Sequence, residues 1–344
     1  MKICIATVKS PFIRGGAEIL VENLKYHLLQ AGHKVEDISI PFAAHPPQSL
    51  TDMIRACQLL SIDKNMVDVV ISTKFPAYCI NHPVKRLWIL HQHRQAYDLW
   101  NTRFSSLKGH PEGADTKRFI FESDNQAFRE AQRIYTISKN VSKRLQRNNG
   151  VFAPHLYPPP NSTGSISGEY GDYIFYPSRI NPTKRQFLAL QAALKANTRV
   201  KLLLAGAWED ATSRAFFERY IEDHGMKGQV SFLGYVSERK KNYLYENCLG
   251  VLFIPYDEDY GYVTVEAFHR GKPVITCADS GGPLEFVENG VNGIIARPDP
   301  LELAQAMDWL YMDRGVAKKM GSAALEKIIS MDITWNKVLC ALTE

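Results

Sequence analysis

Short apolar runs of strand length alternate along this chain with longer stretches of helical spacing, and the alternation occurs twice, on either side of a proline-rich break. Strands separated by helices cannot pair as hairpins. Each crosses over to lie parallel to its neighbour, and the helices cover the sheet faces. In the first series the pattern predicts strands over 1–8, 34–40, 66–72, 86–90 and 133–137, with helices over 17–30, 117–132 and 138–147. Residues 41–49, with three prolines, read as a loop, and 101–116 as irregular and polar. His155-Leu-Tyr-Pro-Pro-Pro-Asn-Ser-Thr-Gly-Ser-Ile-Ser-Gly168 reads as an interdomain linker. The second series predicts strands over 173–176, 200–205, 229–233, 250–254, 273–276 and 292–296, and helices over 186–195, 212–224, 238–247, 300–311 and 314–329. A last amphipathic helix is expected over 334–342, where Trp335, Val338, Leu339 and Leu342 share one face.

Two domains are therefore expected, 1–165 and 166–329, and 344 residues suffice for a core in each. A net charge of +5 suits phosphorylated substrates or an anionic membrane surface and is too small to argue for nucleic acid. No window approaches 18 uninterrupted apolar residues, so no membrane-spanning helix is expected. The apolar run at 1–8 is too short for a signal peptide and reads as a first strand. The six cysteines (Cys4, Cys57, Cys79, Cys248, Cys277, Cys340) are scattered without a C-x-x-C, the pattern of a reducing cytoplasm with no metal framework.

Three stretches carry chemistry. Glu258-Asp-Tyr-Gly-Tyr-Val-Thr-Val-Glu266 follows a buried strand and leads into Ala267-Phe-His-Arg-Gly271, a short helix stopped by glycine. A strand, a turn at Gly261 and a helix start make an anion site, since the first amides of a helix lack intrahelical partners. The glutamates on either side accept hydrogen bonds, which suits a hydroxyl-rich ligand. An acidic first turn without a ligand is the competing reading. Gly15-Gly16, between the first strand and the first helix, has the same layout, yet neither G-x-G-x-x-G nor G-x-x-x-x-G-K-[S/T] occurs, and a plain tight turn competes. His91-Gln-His-Arg94 lies at the carboxyl end of a strand, where open α/β sheets place their ligands.

The Glu258–Glu266 spacing, with Gly261 between, resembles the signature of the family 4 retaining glycosyltransferases, a large group of the GT-B fold. Ser178-Arg-Ile-Asn-Pro-Thr-Lys184 resembles that group's Arg…Lys pair, and Phe232-Leu-Gly-Tyr-Val236 its base-contacting segment. Gly271-Lys-Pro-Val-Ile275, Ser280-Gly-Gly-Pro-Leu-Glu285 and Gly290-Val-Asn-Gly293 follow in the family's order, and Gly15-Gly16-Ala-Glu18 resembles its first glycine loop. Pro159-Pro-Asn-Ser162 and Tyr260 depart from the common Pro-Asn-Gly-Val and Phe. The resemblance implies two Rossmann-like domains facing a central cleft, with a last helix, about 330–344, crossing back to the first domain.

It also implies a retaining, metal-independent hexosyltransferase that uses a UDP- or GDP-sugar as co-substrate and no other cofactor. On that view Arg179 and Lys184 grip the diphosphate, Glu266 accepts from the ribose hydroxyls and Glu258 lies by the donor sugar. Backbone amides around Gly261, Tyr262, Val263 and Thr264 meet the phosphates or the sugar. Tyr235 and Val236 flank the base, with Tyr235 either packing on it or filling core, and Gly15 and Gly16 approach the diphosphate from the first domain. His91 lies near the donor sugar, with His93 as competitor. Asp257-Glu-Asp259 reads as part of the Glu258 motif and not as a metal clamp. The acceptor is a saccharide, a lipid-linked intermediate or a small metabolite, and a cytoplasmic enzyme peripheral to the inner membrane face fits the second. The basic residues Arg133, Lys139, Lys143, Arg144 and Arg147 either face that membrane or are simply solvated. A sugar-nucleotide epimerase or hydrolase of the same fold, and a silent nucleotide-sugar-binding protein, are the alternatives.

Overall fold

The computed structural model describes residues 1–12, 14–160 and 169–344. The chain divides into two compact units, Met1–Asn161 with Ile333–Glu344, and Ser162–Asp332.

The first unit contains β1 (Lys2–Lys9), α1 (Gly16–Gln30), β2 (Lys34–Pro41), α2 (Pro47–Leu59), β3 (Val69–Ser72), β4 (Lys85–Ile89), α3 (Gly113–Glu130), β5 (Arg133–Thr136) and α4 (Lys139–Asn149). Its sheet is ordered β2-β1-β3-β4-β5, and every pair is parallel. The interior strand β1 is buried from Ile3 to Val8, as a strand covered on both faces must be. The order reverses direction between β1 and β3, and the carboxyl ends of these strands form the unit's topological switch point.

The second unit contains β6 (Tyr173–Pro177), α5 (Gln186–Lys195), β7 (Lys201–Ala205), α6 (Ala211–Asp223), β8 (Val230–Phe232), α7 (Glu238–Asn247), β9 (Gly250–Leu252), α8 (Tyr262–His269), β10 (Val274–Cys277), β11 (Gly293–Ala296), α9 (Pro300–Met312) and α10 (Arg314–Ser330). The sheet order is β11-β10-β9-β6-β7-β8, again all parallel. Counted from β6 this is the doubly wound order 3-2-1-4-5-6, with the switch point between β6 and β9. Arg179 follows β6 by two residues and Glu258 follows β9 by six, so one loop leaves the sheet on each side of that point.

Several expectations need correction. Helix α2 was not anticipated, because the prolines at 41–49 were read as a loop. Pro47 instead occupies the first helical turn, where a missing N–H costs nothing, and Leu50, Ile54 and Cys57 form its buried face. Helix α3 starts at Gly113 rather than 117, and β3 at Val69 rather than 66. The helix expected at 267–271 begins at Tyr262, directly after Gly261. The start of the supposed linker is tied down. Leu156 N–H donates to the Thr136 carbonyl at 2.7 Å, and the Trp88 indole donates to the Leu156 carbonyl at 2.9 Å, so 155–156 extends the edge of β5. The rest of that stretch, 161–168, lies outside the described residues. Arg144 is buried against Asp98, which removes it from the basic face proposed for α4. Among the described residues no helix is long and apolar enough to cross a membrane. Cys4, Cys57, Cys79, Cys248 and Cys277 are buried and Cys340 is exposed, all as free thiols.

The last helix, α11 (Trp335–Thr343), belongs to the first unit. Val338 and Leu342 are fully buried, and Trp335 stacks on His27 at 4.6 Å and meets Trp88 edge-on. Arg86 donates to the Leu342 carbonyl at 2.7 Å, satisfying a helix-end acceptor with a cation where the helix dipole favours one. Leu342→Ala should therefore lower the stability of the first unit by about 2–5 kcal/mol through cavity formation. Urea unfolding followed by tryptophan fluorescence checks this, and an unchanged transition would mean that α11 contributes little packing.

Candidate active site

At the second switch point, two loops are pinned to one another. The loop after β6 ends in a short 3-10 turn, Pro182–Lys184, capped by the Asn181 side chain accepting from Lys184 N–H at 3.1 Å. The chain then passes through Arg185 at φ +57° into α5. Arg185 is buried and its guanidinium is fully used. It donates to the carbonyls of Ile254 (2.7 Å) and Pro255 (2.6 Å) and forms a two-pronged pair with Asp279 at 2.8 and 2.9 Å. Backbone bonds complete the joint: Tyr256 N–H to Thr183 O, Asp257 N–H to Asp279 O, and Glu258 N–H to Ser280 O. Neither Arg185 nor Asp279 was singled out from sequence.

Held this way, Lys184 Nζ contacts Glu258 Oε2 as an ion pair of two mostly buried side chains. Arg179, seven residues before Gln186, presents its carbonyl to that residue's side-chain amide at 2.8 Å. Its own guanidinium is exposed and has no hydrogen-bond or ion-pair partner among the described residues. Gly261 then turns the chain into α8 at φ +93°. A Cβ there would stand 3.0 Å from Pro283 Cγ, so both conformation and space require glycine. Gly282 is equally confined, since its Cβ would lie 2.4 Å from the Tyr260 carbonyl. The 280–283 turn thus packs directly on the Glu258–Gly261 segment.

One helical turn into α8, past Val263 and Thr264, stands Glu266. Its carboxylate accepts from Tyr245 Oη at 2.9 Å and Lys241 Nζ at 3.2 Å, both on α7. Burial pulls the Lys241 ammonium down, but the Glu266 and Glu238 carboxylates outweigh it and hold it above the usual lysine range. Tyr245 and Lys241 are additions to the sequence reading. Before α7 the chain passes through Gly234 at φ +63° and leaves Tyr235 exposed, so Tyr235 does not fill core, and Val236 is half-buried. The structure thus joins Lys184 to Glu258 and Glu266 to Lys241 and Tyr245, with Arg179 on the loop that also carries Lys184 and Tyr262 at the start of α8.

Gly15, Gly16 and His91 belong to the first unit, around its own switch point. Gly15 caps α1, and its N–H donates to Glu18 Oε2 at 2.9 Å, so this amide is already engaged and Gly16 is the freer of the pair. Glu18 Oε1 in turn accepts from Lys74 Nζ at 2.7 Å, just beyond β3. Burial alone would raise the Glu18 carboxyl, and the Lys74 ammonium outweighs it, holding the group below its ordinary value. His91 follows β4 and donates from Nδ1 to the Gln92 carbonyl at 2.9 Å, because a carbonyl can only accept. His93 is packed between Phe42 and Phe75. Burial, with His91 and His45 nearby, pushes it down to about 3, so it stays neutral at any working pH. No cluster of three or more metal-ligating side chains occurs among the described residues.

Comparison with known proteins gives this geometry a family. The family model for glycosyl transferases group 1 matches residues 166–327. The mouse alpha-1,3/1,6-mannosyltransferase ALG2 is 30% identical over 135 residues, 38% of this chain and 32% of that protein. Human ALG2 is 27% identical over 164 residues, 44% of this chain and 39% of the relative. The matched stretches therefore span well under half the length of these relatives. Among solved structures, HepE of Anabaena in complex with UDP and glucose superposes with a TM-score of 0.68 at 18% identity, covering 99% of this chain and all of that one. The lipopolysaccharide glycosyltransferase WaaG gives 0.70 at 13% identity over the whole of both chains. At such identities the structures establish the fold, which is GT-B. The match to the glycosyl transferases group 1 family is to residues 166–327, a little under half of the chain.

Two outcomes follow from these contacts. Arg179→Ala should leave stability within about 0.5 kcal/mol, since the side chain is exposed and has no hydrogen-bond or ion-pair partner among the described residues, whereas Arg185→Ala strips two carbonyls and a carboxylate of their donor and should cost roughly 2 kcal/mol or more. Equal effects in thermal or urea unfolding would contradict the division of labour between these two arginines. The lowered Glu18 value adds a pH dependence: its stabilisation is present above the unfolded carboxyl value and is lost as pH falls through the folded one. Lys74→Met should thus destabilise the first unit at neutral pH, with the gap to wild type closing below about pH 4, where glutamate protonates in the unfolded chain. A gap constant from pH 7 to pH 3 would show that the pair does not hold the charge.

Proposed function

We propose that the protein transfers a hexosyl group from a nucleoside-diphosphate sugar to a saccharide, lipid-linked or small-molecule acceptor, with retention of anomeric configuration and without a metal ion. The observation that carries this reading is the joint at the second switch point. It sets an arginine without a polar partner among the described residues, a lysine–glutamate pair and a helix start on the loops where doubly wound sheets bind nucleotides. The match of 166–327 to the glycosyl transferases group 1 family supports the donor class. The ALG2 relatives are named mannosyltransferases and the HepE structures hold UDP or UDP-glucose, so mannosyl and glucosyl donors head the candidates.

On this reading Arg179 and Lys184 meet the diphosphate, where negative charge grows as the sugar–phosphate bond breaks. Amides of the first turn of α8, at Tyr262, Val263 and Thr264, add the field of a helix N-terminus. Lys184 also holds Glu258, so the group that steadies the leaving phosphate fixes the carboxylate beside the sugar. Glu266, held by Tyr245 and Lys241, keeps lone pairs for the ribose hydroxyls. Tyr235 offers an exposed ring to the base, with Val236 beside it. Gly16 contributes an amide to the diphosphate with Gly15 as the cap behind it, and His91 positions the donor sugar. The acceptor oxygen attacks on the face the leaving group departs from. The new C–O bond forms there, the old one breaks, and a phosphate oxygen takes the acceptor proton. A lipid-linked acceptor would place the enzyme at the cytoplasmic membrane surface.

The test is a panel of UDP- and GDP-sugars scored by nucleoside diphosphate release, followed by proton NMR of the first-formed product. Turnover with one donor, a retained anomer and indifference to chelator are expected. Glu258→Gln should lower kcat by roughly 10²–10³-fold while the nucleoside diphosphate still binds, and Glu266→Ala should weaken donor binding by about 1–3 kcal/mol. An inverted anomer, or activity abolished by chelator and restored by Mg²⁺ or Mn²⁺, would overturn the mechanism. Binding without turnover across the panel would overturn the activity.

A further inference from the structure

A second polar centre lies wholly inside the first unit and is used by none of the chemistry above. Asp124, on α3, is completely buried. Its carboxylate accepts from Tyr78 Oη on one oxygen at 2.8 Å and from Tyr97 Oη on the other at 2.7 Å. The Gln92 side-chain amide donates to Asn149 Oδ1 at 2.7 Å, and Asn149 Nδ2 reaches Tyr97 Oη at 3.5 Å, which ties Gln92 into the same network. Asn149 donates on to Asn125 Oδ1 at 2.7 Å. The network joins α3, the end of α4, a short turn at Ala77–Cys79, and two residues of the segment that follows β4.

Burying a carboxylate costs several kcal/mol before its partners are counted, and a packed apolar group of like size is often no less stable. Folding alone therefore gives little reason for Asp124. What the network does specify is the course of residues 91–98. Tyr97 bonds the carboxylate directly, its ring stacked on Phe121 at 4.1 Å, and the buried Gln92 joins the network through Asn149. Two inward anchors five positions apart leave the intervening turn one conformation, closed by the bonds from Ala96 N–H to His93 O and Leu99 N–H to Arg94 O. His91 hangs directly on this frame, since its Nδ1 donates to the carbonyl of Gln92, which the network holds through Asn149 and Tyr97. With Nδ1–H committed, the neutral ring keeps its lone pair on Nε2.

We propose that Asp124 is a positioning residue for His91, acting through Gln92: the buried carboxylate fixes the 91–98 turn and thereby the orientation and tautomer of the imidazole. The inference rests on the reading of His91 as a donor-sugar residue, and the experiment separates the two. Donor turnover with water as acceptor is measured for wild type, His91→Ala, Asp124→Asn, Asp124→Leu, and each Asp124 variant combined with His91→Ala. Affinity for the nucleoside diphosphate alone reports an intact second unit. Asp124→Asn keeps an acceptor for the tyrosines and should retain most activity. Asp124→Leu removes the anchor and should lower kcat at least about tenfold at nearly unchanged donor KM, the scale expected of a small misplacement. In the His91→Ala background the same change should add little. Where Asp124→Leu does not fold, Tyr97→Phe, which strips one hydroxyl from the carboxylate, replaces it with the same expectation. Full turnover in the anchor variant, or a loss that multiplies with that of His91→Ala, would overturn the proposal. Wild-type turnover in His91→Ala would instead overturn the histidine assignment on which it stands.

Discussion

The guanidinium of Arg185 is the contact on which the second unit's site depends. Its donors reach carbonyls that lie 69 and 70 residues further along the chain and a carboxylate 94 residues along. These groups belong to the segments leaving β9 and β10, while Arg185 itself ends the segment leaving β6. Three adjacent strands therefore have their carboxyl ends joined through one side chain. A planar fork with five donors in fixed directions can do this, and a lysine could not. Once the ends are joined, Lys184 and Glu258 have little freedom, and their pairing follows from where their backbones are held. The positive φ of Arg185 belongs to the same economy of space, since it reverses the chain from the 3-10 turn into α5 within one residue.

Much of the fold was legible because parallel α/β sheets write themselves strongly into sequence. Strand interiors such as Ile3–Val8 are continuous apolar runs, and helices such as α5 and α7 carry both periodicity and stops. Helix α2 was legible as well, through Leu50, Ile54 and Cys57, but the preceding prolines were read as breaking structure when Pro47 starts it. The site was legible where chemistry and local turn coincide. Gly261, Glu258 and Glu266 sit in one short segment whose glycine needs a positive φ. Arg185, Asp279, Lys241 and Tyr245 were not legible, for a physical reason. Each matters through a partner at least 21 residues away, and no local pattern marks which surface cation will find such a partner.

The first unit shows the same logic with the opposite balance. At its switch point the helix-start amide of Gly15 is satisfied internally by Glu18, and Glu18 is neutralised by Lys74. That arrangement stiffens the glycine turn without leaving net negative charge at its tip. In the second unit the corresponding helix start, at Gly261, carries no acidic residue in its first helical turn; its nearest carboxylates are Asp257, Glu258 and Asp259 in the preceding loop, with Glu258 paired to Lys184, and Glu266 one turn on. A helix start whose own side chains already supply the anion is a poorer acceptor of a ligand's charge than one whose side chains do not. On that measure the helix start at Gly261 is the more open of the two to an added anion.

This inequality bears on how the charge of a departing diphosphate would be met. Lys184 brings one positive charge, but Glu258 cancels most of it at rest. Arg179 is exposed and has no hydrogen-bond or ion-pair partner among the described residues, and the field of an exposed charge is screened by solvent and salt. The field that is present before any ligand arrives is the backbone dipole of α8, held in place by the Pro283–Gly261 packing. Preorganised dipoles need no rearrangement at the moment of reaction, whereas a free arginine must be desolvated and ordered first. Binding of the diphosphate would order Arg179 and draw Lys184 partly from Glu258 toward the phosphate. The carboxylate so released would be left beside a sugar carbon that is gaining positive character as its bond to phosphate lengthens. The ion pair is then a means of holding a negative charge in reserve, silent in the ground state and exposed as the leaving group takes the lysine.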